Sequence, residues 1–307
     1  MTTVPSSTPR VLFVFLDGVG IGSSEVTRNP FLVADLPRLK TILGGRIPTL
    51  DAPTVVGPAG AAFPLDAGLD LPGTPQSGTG QAALLTGEDA ARIHGAHFGP
   101  WTPVRLRSLV EERSLLRRAI EAGRRVAFAN AYPKGWPGAR GTRRIAGPPL
   151  AARGAGVLNR HEDELGAGRA VSSEIVNDGW RRHLGHEWLP DVTPSDAGAN
   201  LAAIASEHDL TLYAHYATDT AGHRREMASA VSALERVDLF LGGLLDVVAE
   251  GTLVFIASDH GNIEDVTAGH TSNPALGMAL GPNVTEGTAP RDVRDVAAFL
   301  LDHIGVT

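Results

Sequence analysis

The sequence predicts an α/β protein: a three-layer α/β/α core with a mainly parallel sheet, plus a small inserted cap-like subdomain. Two observations lead there. Short unbroken apolar runs, Val11–Leu16, Leu210–Ala214 and Thr252–Ala257, alternate with stretches of helical apolar spacing in both halves of the chain. Strands and crossover helices alternate in this way when a parallel sheet is covered on both faces. Between the halves, residues 131–194 are rich in Gly, Pro, Arg and Trp and have weak periodicity. The expected domains are therefore a discontinuous catalytic core, 1–130 with 195–307, and an inserted segment, 131–194.

Taken in order, Val11–Leu16 reads as a strand buried on both faces, ending at Asp17. Phe31–Leu43 reads as a helix, and Pro48–Leu71 as a Gly/Pro/Ala-rich connection. Small apolar residues after Thr79 have helical spacing, and Gly87 stops them. Val104–Gly123 is helical and leads to a strand over Arg125–Asn130. Thr193-Pro194-Ser195-Asp196 starts a helix running from Ala197 to His208. After the strand at Leu210–Ala214, Arg224–Glu250 carries an amphipathic pattern of Met227, Val231, Leu234, Val237, Leu241 and Leu245. Thr252–Ala257 and Leu276–Leu280 are the last strands, and Asp292–Ile304 the closing helix.

A chain of 307 residues, 43% hydrophobic, buries a sizeable core. Its net charge of -7 and lack of any basic run give no nucleic-acid footprint. Lys40 and Lys134 are the only lysines, so arginine supplies the positive charge. The absence of cysteine excludes disulfides and thiolate metal sites. Met1–Arg10 has no hydrophobic signal core and Val11–Leu16 is too short to span a bilayer, so no membrane association is expected and the cytoplasm is the default compartment.

The chemistry-bearing residues gather at strand ends. Thr252–Ala257 breaks at Ser258-Asp259-His260-Gly261-Asn262, and His270 follows ten residues after His260, in His270-Thr271-Ser272-Asn273-Pro274. Asp and His without cysteine suit a hard or borderline divalent cation. Asp219 and His223, four apart, would share one face of a helical turn. Asp17 lies where open α/β sheets place ligands. The Gly18-Val19-Gly20-Ile21-Gly22 run invites a dinucleotide reading, but its spacing is not that fingerprint and a carboxylate before it would repel a pyrophosphate. Ser77, in or beside the N-cap of a short buried helix, is either a plain cap or a nucleophile aimed into free backbone N–H groups. Loops at one edge of a parallel sheet converge, so these acids and imidazoles around a serine fit a two-metal centre. Arg143, Arg144, Arg153, Arg160, Arg181 and Arg182 in the insert are candidates to meet an anion, most of them as solvated surface charges.

The set Asp17, Ser77, Asp219-x-x-x-His223, Asp259-His260-Gly261-Asn262 and His270-Thr271-x-Asn273-Pro274 resembles the alkaline phosphatase superfamily, closest in its metalloenzyme branch with cofactor-independent phosphoglycerate mutase and phosphopentomutase. The resemblance runs in order over about 11–95 and 200–285. It implies two divalent metal ions of the Mn, Zn or Mg type, one held by Asp219, His223 and His270, the other by Asp17, Asp259, His260 and Ser77. It also implies a small phosphorylated substrate and transient phosphorylation of Ser77, with Thr79 as runner-up. Gln81 stands where the mutases carry a histidine, and the insert is shorter than theirs and lacks their arginine-rich substrate motif. The expected activity is thus phosphoryl transfer that leans to phosphatase or phosphodiesterase hydrolysis. The alternatives are a phosphomutase, a non-catalytic metal-binding protein and, remotely, a nicotinamide-dependent dehydrogenase.

Overall fold

The computed structural model describes residues 9–138, 144–281 and 289–306. Arg143 and residues 1–8 of the N-terminal stretch lie outside them. Seven strands form one sheet in the order β2-β3-β7-β6-β1-β5-β4. They are β1 (Arg10–Leu16), β2 (Val55–Val56), β3 (Ala61–Leu65), β4 (Val126–Phe128), β5 (Leu210–His215), β6 (Thr252–Ala257) and β7 (Ala275–Leu280). The four strands β6, β1, β5 and β4 are parallel; β7 runs antiparallel to β6, β3 to β7 and β2 to β3.

Alternate residues of β1 feed two cores. Val11, Phe13 and Phe15 pack on one face of the sheet with helices α2 (Ser77–Thr86), α4 (Arg107–Arg113), α5 (Leu115–Glu121), α6 (Gly147–Gly154) and α12 (Asp295–His303). Leu12, Val14 and Leu16 pack on the other with α1 (Pro37–Leu43), α9 (Pro194–Ser206), α10 (Ala217–Arg224) and α11 (Met227–Leu245). The period-two alternation of a strand buried on both sides makes this the expected three-layer core. The described residues also form the short helices α3 (Ala90–His94), α7 (Glu162–Gly166) and α8 (Asp178–His183). Within 131–194, Leu150, Ala151 and Ala152 of α6 join the first core. Ala131, Leu165, Ala170, Trp180 and Leu189 form a small cluster of their own.

Several boundaries differ from the sequence reading. Phe31–Leu43 is not one helix. A 3-10 turn at Pro30–Leu32 is followed by α1, which starts at Pro37, because proline is tolerated in a first turn and not inside a helix. No side chain of Leu36 caps α1; the buried carboxylate of Asp238 on α11 instead accepts from the N–H groups of Arg38 and Leu39, at 3.0 and 2.8 Å. Val104–Gly123 is divided where Ser114 caps α5 by accepting from Arg117 N. Pro48–Leu71 contains β2 and β3, which sequence periodicity missed. Pro64 lies within β3, and β2 pairs only with Ala61 and Ala62, so the proline sits on an open edge that needs no N–H.

Helices α9 and α11 meet through glycine. A Cβ on Gly243 would fall on the backbone of Ser195, and one on Gly198 on that of Phe240. Gly243→Ala is therefore expected to force the helices apart and cost about 3 kcal/mol, read as a lower urea midpoint with an unchanged m-value. An unchanged midpoint would contradict the close crossing.

Candidate metal centre

The sheet brings the candidate residues to one edge. Asp17 directly continues β1, its N–H bonded to His215 O at 2.9 Å. Asp219 and His223 lie on α10, just past β5, and Asp259-His260 follow β6. Because β7 is antiparallel, its N-terminal end sits at this same edge, and the loop from His270 to Pro274 meets the others there; Pro274 O accepts from Ile21 N at 2.9 Å. Gly18 makes the close approach possible. Its φ is +66°, and a Cβ would lie 2.5 Å from Asp219 Oδ1.

Ser77 is the first residue of α2, and Gln76 occupies the cap position without a side-chain hydrogen bond. The Ser77 hydroxyl is 2% exposed and lies 2.9 Å from His260 Nε2. It caps nothing, which removes the plain reading of this serine. Thr79 is turned away: its hydroxyl accepts from Phe98 N at 3.1 Å and donates to Gln76 O at 3.3 Å. The Thr79 and Gly80 N–H groups are bonded to Phe98 O and Gln76 O, whereas those of Ser77 and Gly78 have no partner among the described residues.

The imidazoles are oriented as metal ligands usually are, with one nitrogen held by a carbonyl and the other turned inward. His260 Nδ1 faces Gly261 O at 3.2 Å and His270 Nδ1 faces Pro75 O at 3.1 Å. A carbonyl only accepts, so both Nδ1 atoms are donors. His260 Nε2 then lies 3.3 Å from Asp17 Oδ1 and 3.8 Å from Asp259 Oδ2. His270 Nε2 lies 3.5 Å from Asp219 Oδ1 and 3.1 Å from His223 Nε2, and His223 Nε2 is 3.3 Å from Asp219 Oδ2. The rings of His260 and His270 stack with centroids 4.1 Å apart. All seven predicted residues are therefore in one cluster. Ligand atoms within 4.8 Å of one another fall into two groups, Asp17 with Asp259 and His260, and Asp219 with His260 and His270, so that His260 joins both.

The electrostatics call for a cation. Asp17 Oδ1 and Asp259 Oδ2 are buried and accept no hydrogen bond among the described residues, an arrangement whose cost a counter-charge removes. Burial pushes the carboxyl pKa of Asp17 up, and that of Asp259 well up, with neighbouring carboxylates adding to both. Burial alone would lower His260, but Asp259, then Asp17 and Asp219, raise it to about 10. Burial also opposes ionisation of Asp219, yet His270, His260, Asn262 and His223 bring it down to about 2. Three carboxylates, three imidazoles and no thiolate form a donor set that fits divalent metal.

Sequence reading missed the residues that hold this cluster in place. Glu264, fully buried, accepts from Gly20 N at 3.0 Å, Asn262 N at 2.7 Å, Thr271 Oγ1 at 2.5 Å and Asn273 Nδ2 at 3.1 Å, tying together three loops. Asn262 Nδ2 donates to Asp219 Oδ1 at 2.6 Å. Gln81 donates to Asp17 Oδ2 at 3.2 Å while its carbonyl accepts from Gly147 N at 2.8 Å, linking the cluster to α6. The sequence signal for Glu264 was its place between His260 and His270. Four of the six candidate insert arginines are engaged elsewhere: Arg153 pairs with Glu111, Arg181 with Asp191 and Arg182 with Asp178, and Arg160 donates to Arg169 O; Arg144 is exposed.

His215, at the end of β5, is fully buried, and its Nδ1 donates to Ser173 O at 2.8 Å. Burial lowers its pKa to about 4, with the Ser173 bond opposing and Arg236 assisting; Glu174 borders the same cavity. The folded protein keeps His215 neutral where the unfolded chain takes up a proton. Its contribution is therefore complete above about pH 6.5 and lost as pH falls toward 4, by about 3 kcal/mol in all. Urea unfolding of metal-free protein between pH 7.5 and 5 is expected to show a drop that His215→Asn largely removes; parallel pH profiles would refute it.

The sequence model of the Metalloenzyme superfamily matches residues 194–307. The 2,3-bisphosphoglycerate-independent phosphoglycerate mutase of Halobacterium salinarum is 33% identical over 124 residues, covering 37% of this chain and 24% of the mutase. The phosphopentomutase of Methylobacterium sp. (strain 4-46) is 29% identical over 241 residues, 74% of this chain and 57% of that one. The chain thus spans about a quarter of the length of the mutase from Halobacterium salinarum. The PH0037 protein from Pyrococcus horikoshii has the same fold, with a TM-score of 0.60 at 12% identity over 97% of this chain and 98% of that one. A mutant alkaline phosphatase from the Antarctic bacterium TAB5 aligns with a TM-score of 0.53 at 12% identity, over 97% and 98%. Residues 194–307 thus match the Metalloenzyme superfamily, and the chain has an alkaline phosphatase-like α/β fold.

Proposed function

We propose that this chain is a di-metal-dependent phosphoryl-transfer enzyme that acts on a small phosphate ester through a phosphoserine at Ser77. The observation that carries the proposal is the Ser77 hydroxyl, uncapping and buried, 2.9 Å from His260 Nε2 within the carboxylate and imidazole cluster. A non-catalytic metal site would need no such hydroxyl. Asp219, His223 and His270 would hold one ion, and Asp17, Asp259, His260 and Ser77 the other, with Mn or Zn favoured and Mg as the third choice. When bound, the ions supply Lewis-acid stabilisation of the phosphate charge and a lower pKa for the serine hydroxyl.

The chain's own groups do the rest. The N–H groups of Ser77 and Gly78 at the start of α2, unpartnered among the described residues, present donors for phosphate oxygens, as helix N-termini do. Ser77 Oγ forms the bond to phosphorus while the bond to the alcohol oxygen breaks, and the alcohol leaves. The phosphoserine is then resolved by water or by a second hydroxyl. Our reading is hydrolysis, because the segment 131–194 is short and lacks the arginine-rich motif of the mutases, and three of its arginines, Arg153, Arg181 and Arg182, are paired with Glu111, Asp191 and Asp178. The similarity to two phosphomutases supports the second reading, return of the phosphoryl group to a substrate hydroxyl.

Metal-stripped protein given Mn, Zn or Mg should release inorganic phosphate from some member of a panel of phosphomonoesters and diesters. Metal-dependent transfer of label between substrate positions without release would select the mutase reading. Absence of both signals from metal-loaded protein would overturn phosphoryl transfer.

A further inference from the structure

Helix α10 turns Asp219 and His223 toward the metal centre; on its adjoining face, Thr220, Ala221 and Arg224 border a separate cavity of about 620 Å³. Three features of this cavity favour negative charge. Arg224 and Arg236 line it, and neither has an ion-pair or hydrogen-bond partner among the described residues. The first turn of α11, a helix of 19 residues, opens onto it through Ser229; its N-cap Glu226 accepts from the Ser229 hydroxyl at 3.3 Å but from none of the first backbone N–H groups. Free N–H groups and the helix dipole there attract anions.

His215 is an independent sign of a ligand. It lines the cavity, is fully buried, and its Nε2 has no hydrogen-bond partner among the described residues. Its Nδ1 faces Ser173 O, which can only accept, so the neutral ring carries its proton on Nδ1 and leaves a bare lone pair on Nε2. A buried lone pair without a donor is costly. The missing partner is a donor such as a hydroxyl, and the Glu174 carboxylate on the cavity wall also accepts. Arginines and helix N-terminus on one side, with acceptors on the other, match a molecule that is anionic at one end and hydroxylated at the other. A bare anion would satisfy only half of the site.

We propose that the cavity formed by α10, α11 and the Ser173–Glu174 turn binds a small hydroxylated anion, a polyol phosphate or a hydroxycarboxylate, at a site distinct from the Ser77 centre. The assignment does not depend on phosphoryl transfer. It can be tested on full-length, metal-stripped Ser77→Ala protein, which cannot form a phosphoserine, by calorimetric titration with glycerol 3-phosphate, glycerate, inorganic phosphate and glycerol.

Glycerol 3-phosphate or glycerate should bind at least about tenfold more tightly than inorganic phosphate, and glycerol alone should not bind; the preferred anion tells phosphate from carboxylate recognition. Arg236→Ala, at an exposed position, should weaken binding by about tenfold or more, the loss of one charged contact. The same substitution should leave the metal-induced rise in melting temperature unchanged. His215→Gln should erase the preference over inorganic phosphate while leaving phosphate affinity as it was. Undetectable binding of both hydroxylated anions at 10 mM, or affinity unaltered in an Arg224→Ala/Arg236→Ala double variant that melts like its parent, would overturn the proposal.

Discussion

Ser77→Ala should lower metal-dependent phosphoryl transfer by at least about a thousandfold, while leaving fold and metal binding close to the parent. The size follows from the role: removing a nucleophile deletes the bond-forming atom, and single deletions of this kind cost about 10⁴ to 10⁶ in turnover. The selectivity follows from the geometry. Ser77 makes no cap bond, so the loss of about 1 kcal/mol usual for a cap serine does not apply. The three carboxylates and three imidazoles remain in place. Thr79→Ala is the contrasting variant, since its hydroxyl ties the Phe98 backbone and faces away from His260; it should reduce stability and spare turnover. Initial rates with the best substrate, alongside melting curves and mass-spectrometric search for phosphoserine, separate the two. Full activity in Ser77→Ala, or phosphate found on Thr79, would sink the assignment.

How much of this was legible in the sequence depends on the kind of signal. The buried parallel strands β1, β5 and β6 were, because a strand covered on both faces must be apolar throughout, and Val11–Leu16 or Thr252–Ala257 can hardly be read otherwise. Convergence of Asp17, Asp219 and Asp259 then followed from strand polarity alone. The strands at one edge, β2 and β3, were hidden. In Ala61-Ala62-Phe63-Pro64-Leu65 a proline argues against a strand, and only the short reach of β2 makes it tolerable. Support residues were hidden for another reason. Glu264 acts by accepting four hydrogen bonds from segments around Gly20, Asn262, Thr271 and Asn273, and no local spacing records so distributed a role. Gln81 was noticed only as a departure from the mutases, whereas it bridges Asp17 to the first turn of α6. That Ser77 makes no cap bond could be read only in three dimensions, since a cap and a nucleophile both begin as a serine at a helix start.

Asp259→Asn should abolish the stabilisation that divalent metal gives, yet leave the metal-free protein as stable as the parent or slightly more so. A fully buried carboxylate with one oxygen unbonded is a liability until a cation arrives. Burial already drives its pKa well above the usual carboxylate range, and the nearby charges of Asp17 and Asp219 push the same way. His260 opposes them, and removing one partner of a buried pair ordinarily costs about 3–5 kcal/mol. Here the imidazole would not be stranded, because Asp17 Oδ1 is closer to it than Asp259 Oδ2, at 3.3 against 3.8 Å. The amide keeps the shape and removes the repulsion, so relief and loss nearly offset in the absence of metal. With metal the balance reverses. An ion at a hundred times its dissociation constant stabilises by about 2.7 kcal/mol, which for a chain of this size corresponds to a rise of roughly 5 °C or more. Melting curves of both proteins, stripped and then titrated with Mn or Zn, give all four values. If the stripped variant melts well below the stripped parent, Asp259 is a structural anion held by His260. If both proteins gain the same rise, the ion binds elsewhere.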